Sequence, residues 1–294
     1  MRIMLNDFAV FILSHGRADN IKTLKMLEDG NYTGDWYIII DNEDKMADEY
    51  YKRYENHVIM FDKLGMSKKI DDGDNFEERR AIVYARNVAF DIAKKLGLKY
   101  FLQLDDDYLD INYRHVVDDK LKSIKVKSLD ELFRAMIDFL EISGAKTVCF
   151  AQGGDLIGGK YSRNFKKGIT RKAMNTFFCK TDRRFQFVGK LNEDVSTYTL
   201  LGSRGELLFT FAGVSITQVE TQQGKGGITE AYKDLGTYVK SFYSVMYMPS
   251  CVKVSTIGPT NRRIHHKVLW NNCVPKILNE RHKRVKGKND KIYK

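Results

Sequence analysis

Tyr100-Phe101-Leu102-Gln103-Leu104-Asp105-Asp106-Asp107-Tyr108 is an apolar run that ends in three consecutive carboxylates. A run this short, closed by a charged turn, predicts a buried strand over Tyr100–Leu104. Like charges packed at a strand end raise one another's pKa unless a cation neutralises them. Hard oxygen ligands there suit Mg²⁺ or Mn²⁺, which binds through one or two carboxylates and completes its shell with substrate phosphates. The competing reading is a solvated acidic turn. The triplet alone does not say which two of Asp105, Asp106 and Asp107 would ligate a metal.

Upstream, Ile82, Ala85, Ala89, Ile92 and Leu96 form a helical stripe that Gly97 closes. They predict a helix over about 75–96, with Asp74 as its N-cap and Glu77 three residues on. Earlier apolar runs predict strands over Phe8–Leu13, Trp36–Ile40 and His57–Phe61. Ile21, Leu24 and Leu27 predict a helix over 17–29. Unbroken apolar strands alternating with helices specify a mostly parallel α/β sheet covered on both faces. Ligands of such sheets sit beyond the carboxyl ends of the strands. That rule points to Ser14–Asp19, Asp41–Asp44 and Asp105–Asp107.

Two further stretches carry chemistry. Ser14-His15-Gly16-Arg17-Ala18-Asp19-Asn20 follows the first strand; its backbone N–H groups and the Arg17 guanidinium suit a phosphate, although an ordinary helix cap reads the same way. Asn192-Glu193-Asp194-Val195 places two acids where a helical pattern begins. The helix dipole alone favours acids there. The functional reading is a general base that takes a proton from an acceptor hydroxyl. Gly154–Lys160 matches the spacing of a phosphate-binding P-loop, but Tyr161 stands where such a loop needs Ser or Thr, so that reading is rejected in favour of a flexible substrate-facing loop.

The chain has 294 residues, 43% of them hydrophobic, enough for one substantial core. No apolar run is long enough for a membrane-spanning helix, and the N-terminal stretch reads as a first strand rather than a signal peptide. Cys149, Cys179, Cys251 and Cys273 are scattered, which suggests reduced thiols in a cytosolic protein. The net charge of +11 points to a polyanionic partner. It is concentrated in two places. Residues 156–185 carry nine Lys/Arg and one acid, and residues 276–294 carry eight Lys/Arg and two acids. Lys160, Arg163, Lys166, Lys167, Arg171, Lys172, Arg183 and Arg184, interleaved with aromatic residues, form a candidate nucleic-acid surface. A solvated basic face over core phenylalanines is the bland alternative. A single compact domain over 1–275 is expected to precede a basic tail at 276–294.

In order and spacing these motifs resemble GT-A (Rossmann-like) glycosyltransferases over roughly residues 8–200. The resemblance implies one catalytic domain over 1–275, with a nucleotide-sugar half to about 110 and an acceptor half over about 111–275. The resemblance implies that Ser14, His15, Arg17 and Asp41 contact the nucleotide, with help from Arg86 and Asp106. It implies that Asp105 lies on the ribose side, that Asp107 and Asp105 hold Mn²⁺ or Mg²⁺, and that Asp194, with Glu193, serves the acceptor. His265 or His266 matches the late histidine that ligates metal in many such enzymes. Within that fold, the Ser14–Asn20 opening is similar to the TET-associated glycosyltransferases, phage-type enzymes implied to move a sugar from a UDP-sugar onto hydroxymethylated pyrimidines in DNA. 5-Hydroxymethylcytosine in DNA is then the expected acceptor. Three rivals stay open: a transferase acting on a glycan or protein, a two-metal nuclease or nucleotidyltransferase using the same acids, and a basic nucleic-acid-binding protein whose acidic turns are incidental.

Overall fold

The computed structural model describes residues 7–74, 77–219, 239–257 and 263–276. The first strand, β1 (Phe8–Leu13), is buried along its whole length and lies between β2 (Asp35–Asp41) and β4 (Tyr100–Asp105), parallel to both. β3 (Val58–Phe61) extends this parallel group beyond β2. On the other side follow β9 (Phe177–Lys180), antiparallel, then β7 (Thr147–Ala151) and β10 (Leu208–Gln218), which run parallel to each other. β5 (Tyr108–Val117) and β6 (Lys120–Lys125) form a hairpin at the far edge, and β8 (Ile169–Thr170) pairs with β10. The strand order is β3-β2-β1-β4-β9-β7-β10-β5-β6. The expected boundary near residue 110 falls inside β5, within this one sheet.

Side chains alternate across the sheet with period two. Phe8, Val10 and Ile12 join one core with α1 (Lys22–Asp29), α2 (Ala47–Tyr54) and α5 (Leu129–Ser143). Ala9, Phe11 and Leu13 join the other, under α4 (Val83–Lys95) and α7 (Glu193–Ser203). Both faces are therefore covered, as continuous apolar strands require. The short helices α3 (Lys63–Ser67) and α6 (Arg163–Lys167) lie in connections. α8 (Val239–Tyr247) and the ribbon of β11 (Val252–Ile257) and β12 (Arg263–Val268) follow the main sheet. No helix among the described residues is long and apolar enough to cross a membrane. Of the basic tail 276–294, only Lys276 lies within the described residues.

Two helix starts differ from the expectation. α1 begins at Lys22, because the chain from Ser14 to Ile21 is pulled across the sheet edge by hydrogen bonds to Asp44, Tyr50 and Asp106. α4 begins at Val83, and Asp74 is not its cap. The Asp74 carboxylate accepts from Lys190 Nζ at 2.7 Å and from the Tyr243 hydroxyl. Gly97 does end α4, with φ +71.

The loop at Asp71–Asp74 packs on α8. Gly73 has φ +95, and a Cβ there would lie 3.0 Å from both Tyr243 Cε1 and Tyr247 Oη. Those rings cannot retreat freely, since their hydroxyls hold Asp74 and Asp71. Gly73→Ala should therefore cost about 1–3 kcal/mol of stability through strain and overpacking. Thermal unfolding would show it, and an unchanged melting temperature would contradict it.

Candidate active site

The parallel register brings the carboxyl ends of β1, β2 and β4 to one edge, with Leu13 opposite both Ile39 and Asp105. The residues that follow these strands make a single hydrogen-bonded network there. Ser14 Oγ donates to Asp106 Oδ2 at 2.6 Å and lies 2.6 Å from Tyr50 Oη. Arg17 Nη1 donates to Asp106 Oδ1 at 2.6 Å. His15 Nδ1 is 2.7 Å from Asp41 Oδ2, whose other oxygen accepts from buried Lys63 Nζ at 3.2 Å. Burial alone would raise the Asp41 pKa, but the His15 hydrogen bond and the Lys63 charge outweigh it and hold the group below the usual carboxylate range.

Three of the backbone donors expected to cradle a phosphate are engaged within the protein. Ser14 N–H bonds Ile39 O, Gly16 N–H bonds Asp44 Oδ2 and Arg17 N–H bonds Tyr50 Oη. The N–H groups of Lys22 and Thr23, at the start of α1, bond the Asp106 carbonyl.

The three aspartates have different surroundings. Asp106 is buried and fully engaged by Ser14 and Arg17; burial nevertheless raises its pKa. Asp105 accepts from Arg86 Nη2 at 3.1 Å and from the Tyr108 hydroxyl at 3.2 Å, and 29% of its side chain stays exposed. Asp107 pairs with no cation among the described residues. Burial first, then the charges of Asp105 and Asp106, push its pKa up to about 7.

Arg86 ties this cluster to the second acid motif. It projects from α4, is buried, and its Nε donates to Glu193 Oε1 at 3.0 Å while its Nη2 holds Asp105. Its guanidinium carbon lies 4.8 Å from the centre of the Phe177 ring. Burial opposes its charge, but Asp105 and Glu193 keep its pKa above the ordinary value. Glu193 and Asp194 form the first turn of α7, where the helix dipole favours negative charge. Asp194 accepts from Val195 N–H at 2.7 Å; burial, then the Glu193 charge, push its pKa up to about 7. Arg86 is thus a strut between the two acid motifs, turned inward rather than toward a nucleotide.

Asn192 precedes this turn in a left-handed conformation, φ 54 and ψ 37. Its Nδ2 donates to the Lys240 carbonyl at 2.9 Å and lies 3.1 Å from His266 Nδ1. A carbonyl only accepts, so Nδ2 is fixed as the donor and His266 Nδ1 as the acceptor. Burial, then the neighbouring His265, lower the His266 pKa to about 3, so the ring is neutral. His265 stacks obliquely on it, with centroids 4.2 Å apart. Among the described residues no three His, Cys, Asp or Glu side chains are grouped to hold a metal.

The structure divides the basic residues named from the sequence. Lys172 bonds buried Asp155 at 2.5 Å, and its charge reaches Asp194. Arg171 reaches the Trp270 carbonyl at 3.2 Å. Lys160 pairs with Asp119, while Arg163, Lys166 and Lys167 are exposed around α6 and pair with no acid among the described residues. Arg183 and Arg184 lie elsewhere. β9 runs antiparallel to β4, with Lys180 opposite Tyr100, so they follow its end at the amino edge of the sheet, away from the aspartates. There Arg183 holds Glu141 at 3.2 Å and Arg184 holds Asp91.

Asp44, which accepts from Gly16 N–H, falls in the Asp41–Asp44 stretch that the strand-end rule pointed to, whereas sequence reasoning missed Tyr50 and Lys63. The strand-end rule, applied to β3, would have pointed to Asp62 and Lys63. Tyr50 gave no signal, since it reads as one apolar position of an ordinary helix.

A family model described as TET-Associated Glycosyltransferase matches residues 8–227. No curated protein matches. Solved structures of similar shape include a mycobacterial protein, at 8% identity and TM-score 0.43, covering 89% of this chain and 83% of its own. Glucosyl-3-phosphoglycerate synthase from Mycobacterium tuberculosis, crystallised with Mn²⁺, UDP and phosphoglyceric acid, has 6% identity and TM-score 0.44, with 89% and 86% coverage. GalNAc-T7 with UDP, GalNAc and Mn²⁺ has 13% identity and TM-score 0.40, with 83% and 51% coverage. With the family match spanning residues 8–227 of 294, the chain belongs to the TET-associated glycosyltransferases.

Proposed function

We propose that this glycosyltransferase moves a sugar from a UDP-sugar to the hydroxyl of 5-hydroxymethylcytosine in DNA. One observation carries the site assignment. A single buried guanidinium, Arg86, joins Asp105 to Glu193 and so places the aspartate cluster beside Asp194, while Asp107 in that cluster has no cation partner among the described residues. A crowded carboxylate of raised pKa beside a partly exposed one fits Mg²⁺ or Mn²⁺ bound by one or two carboxylates and a diphosphate. When bound by Asp107 and Asp105, the ion supplies positive charge that offsets the charge gathering on the departing diphosphate. Ser14, His15, Arg17 and Asp41 shape the nucleotide end, with Asp106 fixing Ser14 and Arg17. Asp194 accepts the proton of the acceptor hydroxyl as its oxygen bonds the anomeric carbon. The bond from that carbon to the diphosphate breaks, and UDP leaves with the electron pair.

The exposed cations at Arg163, Lys166 and Lys167, with Lys160 beside them, favour DNA over a neutral glycan as acceptor. A base in a duplex must turn out of the stack to reach Asp194. Four free, buried cysteines fit a reducing cytoplasm.

Asp107→Asn tests the metal assignment by two opposed effects. Mn²⁺-dependent binding of the UDP-sugar, measured by calorimetry, should weaken about tenfold or more, as expected for a lost metal ligand. The metal-free protein should melt about 1–4 °C higher, because a repelled, partly buried charge is gone. Wild-type Mn²⁺-dependent affinity in the variant would overturn the assignment.

A further inference from the structure

The connection between β7 and β9 carries an aromatic side chain that the site does not use. Tyr161 is 66% exposed and Ile157 is 81% exposed, on the two sides of Gly158 and Gly159. Both glycines have positive φ, +94 and +58, which sets a tight turn at the loop's tip. The ammonium groups of Lys160 and Lys166 lie 4.5 and 5.1 Å from the centre of the Tyr161 ring. Arg163 and Lys167 are exposed beside them, and the sequence has no acid between Asp155 and Asp182. Two large apolar groups held in water among three exposed cations, with Lys160 beside them paired to Asp119, match a partner that offers phosphates outside and stacked rings within.

The base of the same loop is buried and fully bonded. The Asp155 carboxylate accepts from Lys172 Nζ at 2.5 Å, from Asn164 Nδ2 at 3.2 Å and from Gln152 N–H at 3.0 Å. Ser162 Oγ donates to the Asp155 carbonyl at 2.7 Å and caps α6. The loop leaves the carboxyl end of β7, the edge that also carries Asp105–Asp107, and Lys172 is among the cations whose charge is felt at Asp194. The exposed tip therefore stands on a buried, hydrogen-bonded base, in a connection that leaves the sheet edge carrying Asp105–Asp107.

We propose that Tyr161, backed by Ile157, enters the DNA stack and fills the gap left when the acceptor nucleotide turns out toward Asp194. This rests on the reading that the acceptor is a base in DNA. Wedges of this kind replace lost base stacking with side-chain stacking. A phosphate draws Lys166, which pairs with no acid among the described residues, away from the ring and frees that face for the neighbouring base. Tyr161 is a positioning residue, since it touches the flanking bases and not the reacting atoms.

The test uses the full chain and one oligonucleotide containing 5-hydroxymethylcytosine, presented single-stranded and in a matched duplex. Transfer from the UDP-sugar is read by mass spectrometry. Tyr161→Ala should lose about tenfold or more on the duplex, the scale of one lost stack, and less than about twofold on the single strand. Tyr161→Phe should retain duplex activity, since it keeps the ring. Equal losses on both substrates would assign Tyr161 to phosphate contact or folding, and no loss on either would make it idle; each result overturns the wedge. A wild-type enzyme that modifies neither DNA but does modify a glycan or protein refutes the DNA acceptor itself, and the wedge falls with it.

Discussion

Arg86→Met should destabilise the protein by about 3–5 kcal/mol, the cost of removing one partner from a buried charge group. At this chain length that corresponds to a fall of about 6–15 °C in melting temperature. The methionine fills much of the arginine's volume, so the loss is electrostatic rather than a cavity effect. Glu193 is buried, and Asp105 sits in a triplet of acids; without Arg86 both lose the cation that compensates them. The deficit should shrink as pH falls, because protonation neutralises the orphaned carboxylates and removes the penalty for burying their charge. Adding Glu193→Gln should recover part of the loss, since neighbouring changes that share a partner are not additive. Arg86→Lys should fall between the two, keeping the charge but losing the fork that reaches Asp105 and Glu193 together. Differential scanning calorimetry of the four proteins between pH 5 and 8 reads all of this. A loss for Arg86→Met below about 1 kcal/mol would show that the strut is not a structural element.

Asp194→Asn should reduce transfer about 100- to 10,000-fold, the range for loss of a general base, while UDP-sugar affinity stays within about twofold of wild type. The pH profile of the wild-type enzyme gives an independent check. A base works only when ionised. Burial and the Glu193 charge push the Asp194 pKa up to about 7, so the rate should fall as pH drops through about 7 and level off above it. Asp107 also titrates near 7 in the protein alone, but a bound cation favours its ionised form and lowers that value. At saturating Mn²⁺ the remaining inflection belongs to the acid pair at the start of α7. An Asp194→Asn enzyme that keeps more than a tenth of wild-type activity would remove Asp194 from the base role.

The DDD triplet shows how far local sequence reaches. That three carboxylates would close a buried strand was legible, because an apolar run ending in acids needs no distant information. The division of labour within it was not. Asp106 is occupied by Ser14 and Arg17, some 90 positions away, and Asp105 by Arg86 from a neighbouring helix. Arg17 and Arg86 looked from the sequence like nucleotide contacts, and the fold directs both guanidinium groups at aspartates. Asp74 had the right spacing to cap a helix, but Lys190 and Tyr243 claim its carboxylate, and α4 starts at Val83.

The basic segment divides in the same way. Lys166 and Arg183 are equivalent by charge and composition, yet the antiparallel run of β9 carries Arg183 to the opposite edge of the sheet. What sequence alone determined was the layering: apolar strands alternating with helices, and hence the edge at which Ser14, Asp41 and Asp105–Asp107 meet, because hydrophobic periodicity is a local property of the chain. Which carboxylate has no cation partner among the described residues, which arginine is a strut, and which cations stay exposed were decided by tertiary structure. Charge pairing at 3 Å depends on side chains far apart in sequence, and only packing brings them together.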